Sequence, residues 1–162
     1  MAGPPHVRNA ATNVRCSCRV GWRGASSWNV ITTVAAEGSI RQIQFDPLDR
    51  DLVIASEAGR TLLGHVQIVA LGPQRVVRWH TVAAAVRNVA YAPDGETIGF
   101  VCADGGSWLY SMHSDIWAYT RDHNTDTFTA RFSPDGRLFA TSDRRGLVVV
   151  RDVQSTLAGM KN

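Results

Sequence analysis

Lysine is almost missing from this chain of 162 residues: Lys161 stands alone against sixteen arginines. We read that bias as genome composition rather than as a binding feature. Cysteine is scarce as well. Cys16, Cys18 and Cys102 are too few for a disulfide framework, so a reducing compartment is expected. Zinc motifs bring a second ligand pair at matching spacing, and neither Cys102 nor the scattered histidines supply one beside Cys16 and Cys18. No metal and no other cofactor is therefore expected. No apolar run reaches the length needed to span a bilayer, so no membrane partner is expected. Acidic residues are missing from the first 36 positions, which hold Arg8, Arg15, Arg19 and Arg23. The remainder balances 13 basic against 14 acidic residues and offers no electrostatic footprint for nucleic acid. Catalytic signatures are absent too: there is no Gly-x-Ser-x-Gly, no Gly-x-x-x-x-Gly-Lys and no His-Glu-x-x-His. Asp94, Asp104 and Asp135 occupy turn positions, where aspartate bonds its own backbone. The chain is read as a non-enzyme.

What is present is a repeat. FDPLDRDLVIAS from Phe45, YAPDGETIGFVC from Tyr91 and FSPDGRLFATSD from Phe132 align on a turn proline two residues after an aromatic. Proline pre-sets φ for the second turn position, and Asp and Gly accept the conformations that follow. The prolines, Pro47, Pro93 and Pro134, are 46 and 41 residues apart. Apolar columns recur around them. Ile40 and Val86, with Thr127, stand five before the aromatic; Ile43, Val89 and Ala130 stand two before; Leu52, Ile98 and Phe139 stand seven after. A period of about 40–45 residues carrying four strands is the signature of a β-propeller.

Within the units, β-rich runs are expected at residues 40–45, 51–56, 66–71 and 74–80; at 86–91, 97–102, 107–111 and 116–120; and at 128–133, 137–142 and 147–152. Trp108 and Tyr110 flank Leu109, so they share one strand face, read as packing between blades. Residues 28–35 (WNVITTVA) alternate and read as a further outer strand.

These residues resemble the WD-repeat family, whose units pass through an aromatic-Ser-Pro-Asp-Gly turn and end a third strand in Trp-Asp. Asp104-Gly105 keeps the family's second turn and Gly146 keeps its glycine, while the third strands end in Tyr110-Ser111 and Arg151-Asp152. His80 and His123 lie near the family's Gly-His position, and Ser142 and Asp143 are placed for a hydrogen-bond network inside a blade. The resemblance covers residues 28–153. It implies an all-β fold of four-stranded antiparallel propeller blades, about three per chain. It also implies a first strand that completes the last blade, the part residues 28–35 would take.

The organisation expected is a basic tail or remnant strand at 1–27, a three-blade segment at 28–153 and a short tail at 154–162. Arg-rich, acid-free sequence at 1–27 also fits an organellar transit peptide; otherwise the cytoplasm is expected. Three blades do not close a ring, since propellers have about four to eight. Completion is expected from further copies, six blades for two chains and nine for three, or from a different protein; a fragment of a larger propeller is the third option.

The function expected is a non-enzymatic scaffold that holds a protein or peptide on its rim loops. Candidate contact residues are His80, His113, Arg121, Asp122, His123, Arg144 and Arg145, the last two forming a basic pair suited to acidic groups. A merely solvated turn is the alternative for that pair. Three other readings stay open: a detached recognition fragment of a larger signalling or defence protein, a propeller enzyme, and nucleic-acid binding through the basic N-terminus.

Overall fold

The computed structural model describes residues 33–59, 63–71 and 75–159. Among the described residues, eleven strands form three antiparallel sheets. The first sheet is β1 (Ser39–Phe45), β2 (Asp51–Glu57), β3 (Gly64–Ala70) and β4 (Arg75–Val82), hydrogen-bonded in chain order. The second repeats that order with β5 (Val86–Tyr91), β6 (Thr97–Cys102), β7 (Gly106–Ser111) and β8 (Ile116–Arg121). The third has three strands, β9 (Thr127–Phe132), β10 (Leu138–Asp143) and β11 (Val148–Asp152), and ends in a short helix α1 (Val153–Ala158). Each sheet is one blade. The proline turns join first to second strands as expected, and Gly95 and Gly136 take the positive φ that a side chain would oppose.

One irregularity recurs in every blade. The pairing of first with second strand slips between Ile40 and Gln42, between Val86 and Asn88, and between Thr127 and Thr129. One residue bulges in each case: Arg41, Arg87 and Phe128. A bulge reverses the in-out alternation, so residues three apart come to share a face. That is why Val86 and Val89 both bury toward the first blade although strict alternation would separate them.

The core lies between blades. Val53, Ala55, Val66 and Ile68 of the first blade pack on Val89, Tyr91, Ile98, Phe100 and Tyr110 of the second. Ala90, Val101, Leu109 and Ala118, on the second blade's other face, pack on Ala130 and Phe139 of the third. Gly99 permits the second contact. A Cβ there would stand 2.3 Å from a Phe139 ring carbon, so the strand stays bare where the ring lies against it. Trp108 and Tyr110 do face the first blade together, Tyr110 within that core and Trp108 against it.

Two expectations change. Residues 154–162 were expected as a short tail; α1 begins at Val153, capped by the Asp152 carboxylate, which accepts from the Ser155 N–H at 2.7 Å. Val153 and Leu157 bury in the core between the second and third blades, and that apolar spacing of four makes a single helical turn worthwhile. The expected strand at 28–35 lies mostly outside the described residues, and residues 33–35 carry no strand. Among the described residues, β11 therefore remains an edge.

Candidate functional site

The first strands β1, β5 and β9 stand side by side, and their C-terminal ends with the proline turns enclose a cavity of about 410 Å³. Gln42, Gln44, Tyr91, Pro93, Arg131, Phe132 and Pro134 line it, alternately amide, aromatic and ring-constrained. The amides are fixed by their neighbours. The Gln42 Oε1 accepts from the Val89 N–H at 3.2 Å and the Gln44 Oε1 from the Tyr91 N–H at 3.4 Å. One step round, the Asn88 Oδ1 accepts from the Ala130 N–H at 3.1 Å and from Arg131 Nη1 at 3.2 Å. β5 and β9 thus each have backbone N–H groups capped by a side chain of the blade before. Sequence reading passed over these amides. The signal was available: Gln42, Asn88 and Thr129 all stand three before the turn aromatic.

The opposite rim gathers five of the seven candidate residues. Arg121 ends β8, Asp122 and His123 follow it, and the turn holding Arg144 and Arg145 abuts the same loop through the Arg144 N–H, which donates to the Asp126 carbonyl at 3.0 Å. Arg121, Arg144 and Arg145 are exposed. Asp122 is engaged: Arg151 Nε donates to it at 2.6 Å, and that pairing holds its carboxyl below the usual range. His123 is corrected. It is fully buried, with Nε2 2.8 Å from the Thr141 Oγ1 and Nδ1 facing the Asp143 carboxylate at 3.4 Å, so it organises the blade interior and offers no surface. Burial pushes the Asp143 carboxyl up. The N–H groups of Leu147 and Arg145 and the His123 side chain more than offset it, leaving the carboxyl below its ordinary value.

The remaining two candidates stand apart. His113 is exposed on the proline-turn rim, where it lines a cavity of about 260 Å³ with Asp94, Glu96, Ser111 and residues of α1. His80 lies within β4 and stacks on Trp117, ring centroids 3.9 Å apart, with Trp108 edge-on at 5.3 Å. Its Nε2 is buried without a hydrogen-bond partner among the described residues, and burial lowers its pKa.

Charge also ties the rim together across blades. Arg87, the bulged residue of β5, donates to both oxygens of Asp126 at 3.0 and 3.1 Å and reaches Glu57 of the first blade at 3.5 Å. Arg41, the equivalent bulged residue, pairs with Glu57 from the other side. Among the described residues no group of three His, Cys, Asp or Glu side chains could hold a metal ion, and no helix is long and apolar enough to cross a membrane.

Sheets of three or four strands in chain order, stacked face to face with first strands adjacent, define an all-β, propeller-like fold. Solved structures agree at the level of fold. A chain of Kuenenia stuttgartiensis hydrazine synthase superposes with a TM-score of 0.65 over 76% of this chain at 16% sequence identity. The aligned part spans 42% of that chain, well under half of its length. No family model matches the sequence.

Proposed function

We propose that this protein is a non-enzymatic recognition scaffold that holds a protein or peptide partner in the opening between its first strands. One observation carries the reading: the cavity of about 410 Å³ lined by Gln42, Gln44, Tyr91, Phe132 and Arg131. Amide side chains that already accept backbone N–H groups from neighbouring strands have the chemistry to pair with an extended peptide. Aromatic rings and prolines supply contact area at little conformational cost, and Arg131 favours an acidic residue in the ligand. The exposed Arg121, Arg144 and Arg145 favour acidic groups on the opposite rim as well.

The finer reading, a WD-type repeat, is supported in the third blade. There a buried histidine before the first strand, a second-strand hydroxyl and a turn aspartate meet as His123, Thr141 and Asp143. The same positions in the second blade hold no histidine, so the network is confined to one repeat.

Selection of a phage-displayed random heptapeptide library on the full chain tests the proposal. Acidic sequences should be enriched, and Arg131→Glu together with Gln44→Ala should abolish the enrichment. A selection that enriches nothing, or one indifferent to both substitutions, would remove the basis for a recognition role at this cavity.

A further inference from the structure

The side-chain caps between blades occur at two positions of the repeat, and the second blade carries only one of them. Three residues before the turn aromatic, Gln42 caps the Val89 N–H and Asn88 caps the Ala130 N–H. One residue before it, Gln44 caps the Tyr91 N–H at 3.4 Å. The equivalent of Gln44 in the second blade is Ala90, whose methyl group accepts nothing. The Phe132 N–H, which corresponds to that of Tyr91, therefore has no side-chain cap among the described residues.

Strand geometry fixes where that N–H points. In an antiparallel pair, successive residues direct their N–H groups alternately toward the partner strand and away from it. The Ser133 N–H donates across the sheet to the Leu138 carbonyl at 2.9 Å, whereas the Ala130 N–H donates away from β10, to Asn88. Phe132 shares the parity of Ala130 and so turns its N–H away from β10. Ala90 and Phe132 both line the cavity of about 410 Å³, so the space beside the alanine is open where the glutamine of the blade before is filled.

The charge around this donor has one sign. Arg131 is the one charged side chain lining the cavity among the described residues. It is exposed, and its Nη1 donates to two neutral acceptors, the Asn88 Oδ1 at 3.2 Å and the Ala130 carbonyl at 2.7 Å. The carboxylates of the adjoining turns are committed to their own loops. Asp94 accepts from the Glu96 and Thr97 N–H groups, and Asp135 from the Ser133 hydroxyl and the Arg137 N–H.

We propose that the cavity seats a ligand carboxylate on the Phe132 N–H, where a glutamine amide oxygen sits one blade earlier, with the Arg131 guanidinium beside it. A neutral amide would satisfy the N–H and leave the arginine unpaired, so a carboxylate is preferred. The group can be the terminus of a peptide or an Asp or Glu side chain. The inference rests on the recognition reading above and names the chemical group that the cavity takes.

Sodium acetate is the probe, added to the full chain labelled with 15N-phenylalanine, against sodium chloride at equal ionic strength. Five amide signals result, and Phe132→Tyr assigns the one of interest. Acetate should move that signal downfield to saturation. The signals of Phe100 and Phe139 should stay, since both lie on second strands paired on either side. Acetamide should bind about tenfold more weakly. Ala90→Gln gives the chain its own acceptor, so the Phe132 signal should start downfield and ignore acetate. If that variant does not fold, Arg131→Gln, at an exposed site, should lower acetate affinity to that of acetamide. A Phe132 signal that acetate leaves in place would overturn the proposal, as would either variant binding acetate as the wild type does. Acetyl-Gly-Glu-Gly-amide and acetyl-Gly-Gly-Gly then separate side-chain from terminal carboxylates by which saturates the shift at lower concentration. The two readings fail separately. Heptapeptides enriched without a Phe132 shift keep the scaffold and remove the carboxylate seat; a shift with nothing enriched does the reverse.

Discussion

Asn88 in the second blade accepts a hydrogen bond from the backbone N–H of Ala130 in the third, at 3.1 Å, and so fastens two sheets at their innermost strands. Ala130 is fully buried. Asn88→Ala should therefore leave a buried donor unpaired and cost about 1–3 kcal/mol. Asn88→Asp keeps the acceptor and should retain most of the stability. Urea unfolding of both variants checks this, and equal loss in the two would show that the bond contributes nothing.

Gly99 and Phe139 make the apolar counterpart of that contact. A methyl group at position 99 would stand 2.3 and 2.6 Å from two Phe139 ring carbons, so Gly99→Ala should destabilise by about 1–3 kcal/mol. Phe139→Leu frees the space. The double variant should then be less destabilised than the two single losses summed, a coupling read from a double-mutant cycle. Simple additivity would mean that the ring does not press on the strand.

Cys102 is buried in the core between the first and second blades, and burial pushes its thiol up to about 12. The thiolate is the reactive form, so this cysteine should resist iodoacetamide at pH 8 in the native protein and react once urea unfolds it. Peptide mapping by mass spectrometry separates it from Cys16 and Cys18. Native labelling at the unfolded rate would contradict the burial.

His80 should give the fold a pH dependence. Burial lowers its pKa in the folded state below the ordinary value of about 6.5, so between the two values the unfolded chain binds more protons. Stability is then complete above about pH 6.5 and declines as pH falls toward the lowered value. His80→Phe keeps a ring against Trp117 and should flatten that part of the profile. Urea midpoints measured from pH 7.5 to pH 5 should show the difference; parallel profiles would place the titration elsewhere.

Much of this architecture was legible because a propeller is written locally. Each blade is a run of strands joined by short turns, and Pro47, Pro93 and Pro134 mark the same turn three times. Even the bulge left a trace in the apolar column: the three-residue step from Ile40 to Ile43, and from Val86 to Val89, breaks a two-residue period. The helix at 153–158 left a fainter one, since Val153 and Leu157 are only two apolar positions one turn apart.

The site was less legible, for a physical reason. His123 stands in a polar stretch, RDHNTD, whose composition suits an exposed loop. It is buried because Thr141 and Asp143 from another strand pair come to meet it. Gln42 and Asn88 likewise look like ordinary polar residues of a strand, and acquire a role only when the next blade brings an N–H within reach. By itself the sequence determined the strands, their turns and the repeat, because those depend on neighbours a few residues away and on the side-chain period. Only the tertiary structure decided which polar side chains are capped, buried or free, and which apolar side chains stay exposed. Those outcomes depend on contacts 18 residues apart within a blade, as for His123, and 40 or more apart between blades, as for Gln42 and Asn88, which no local pattern encodes.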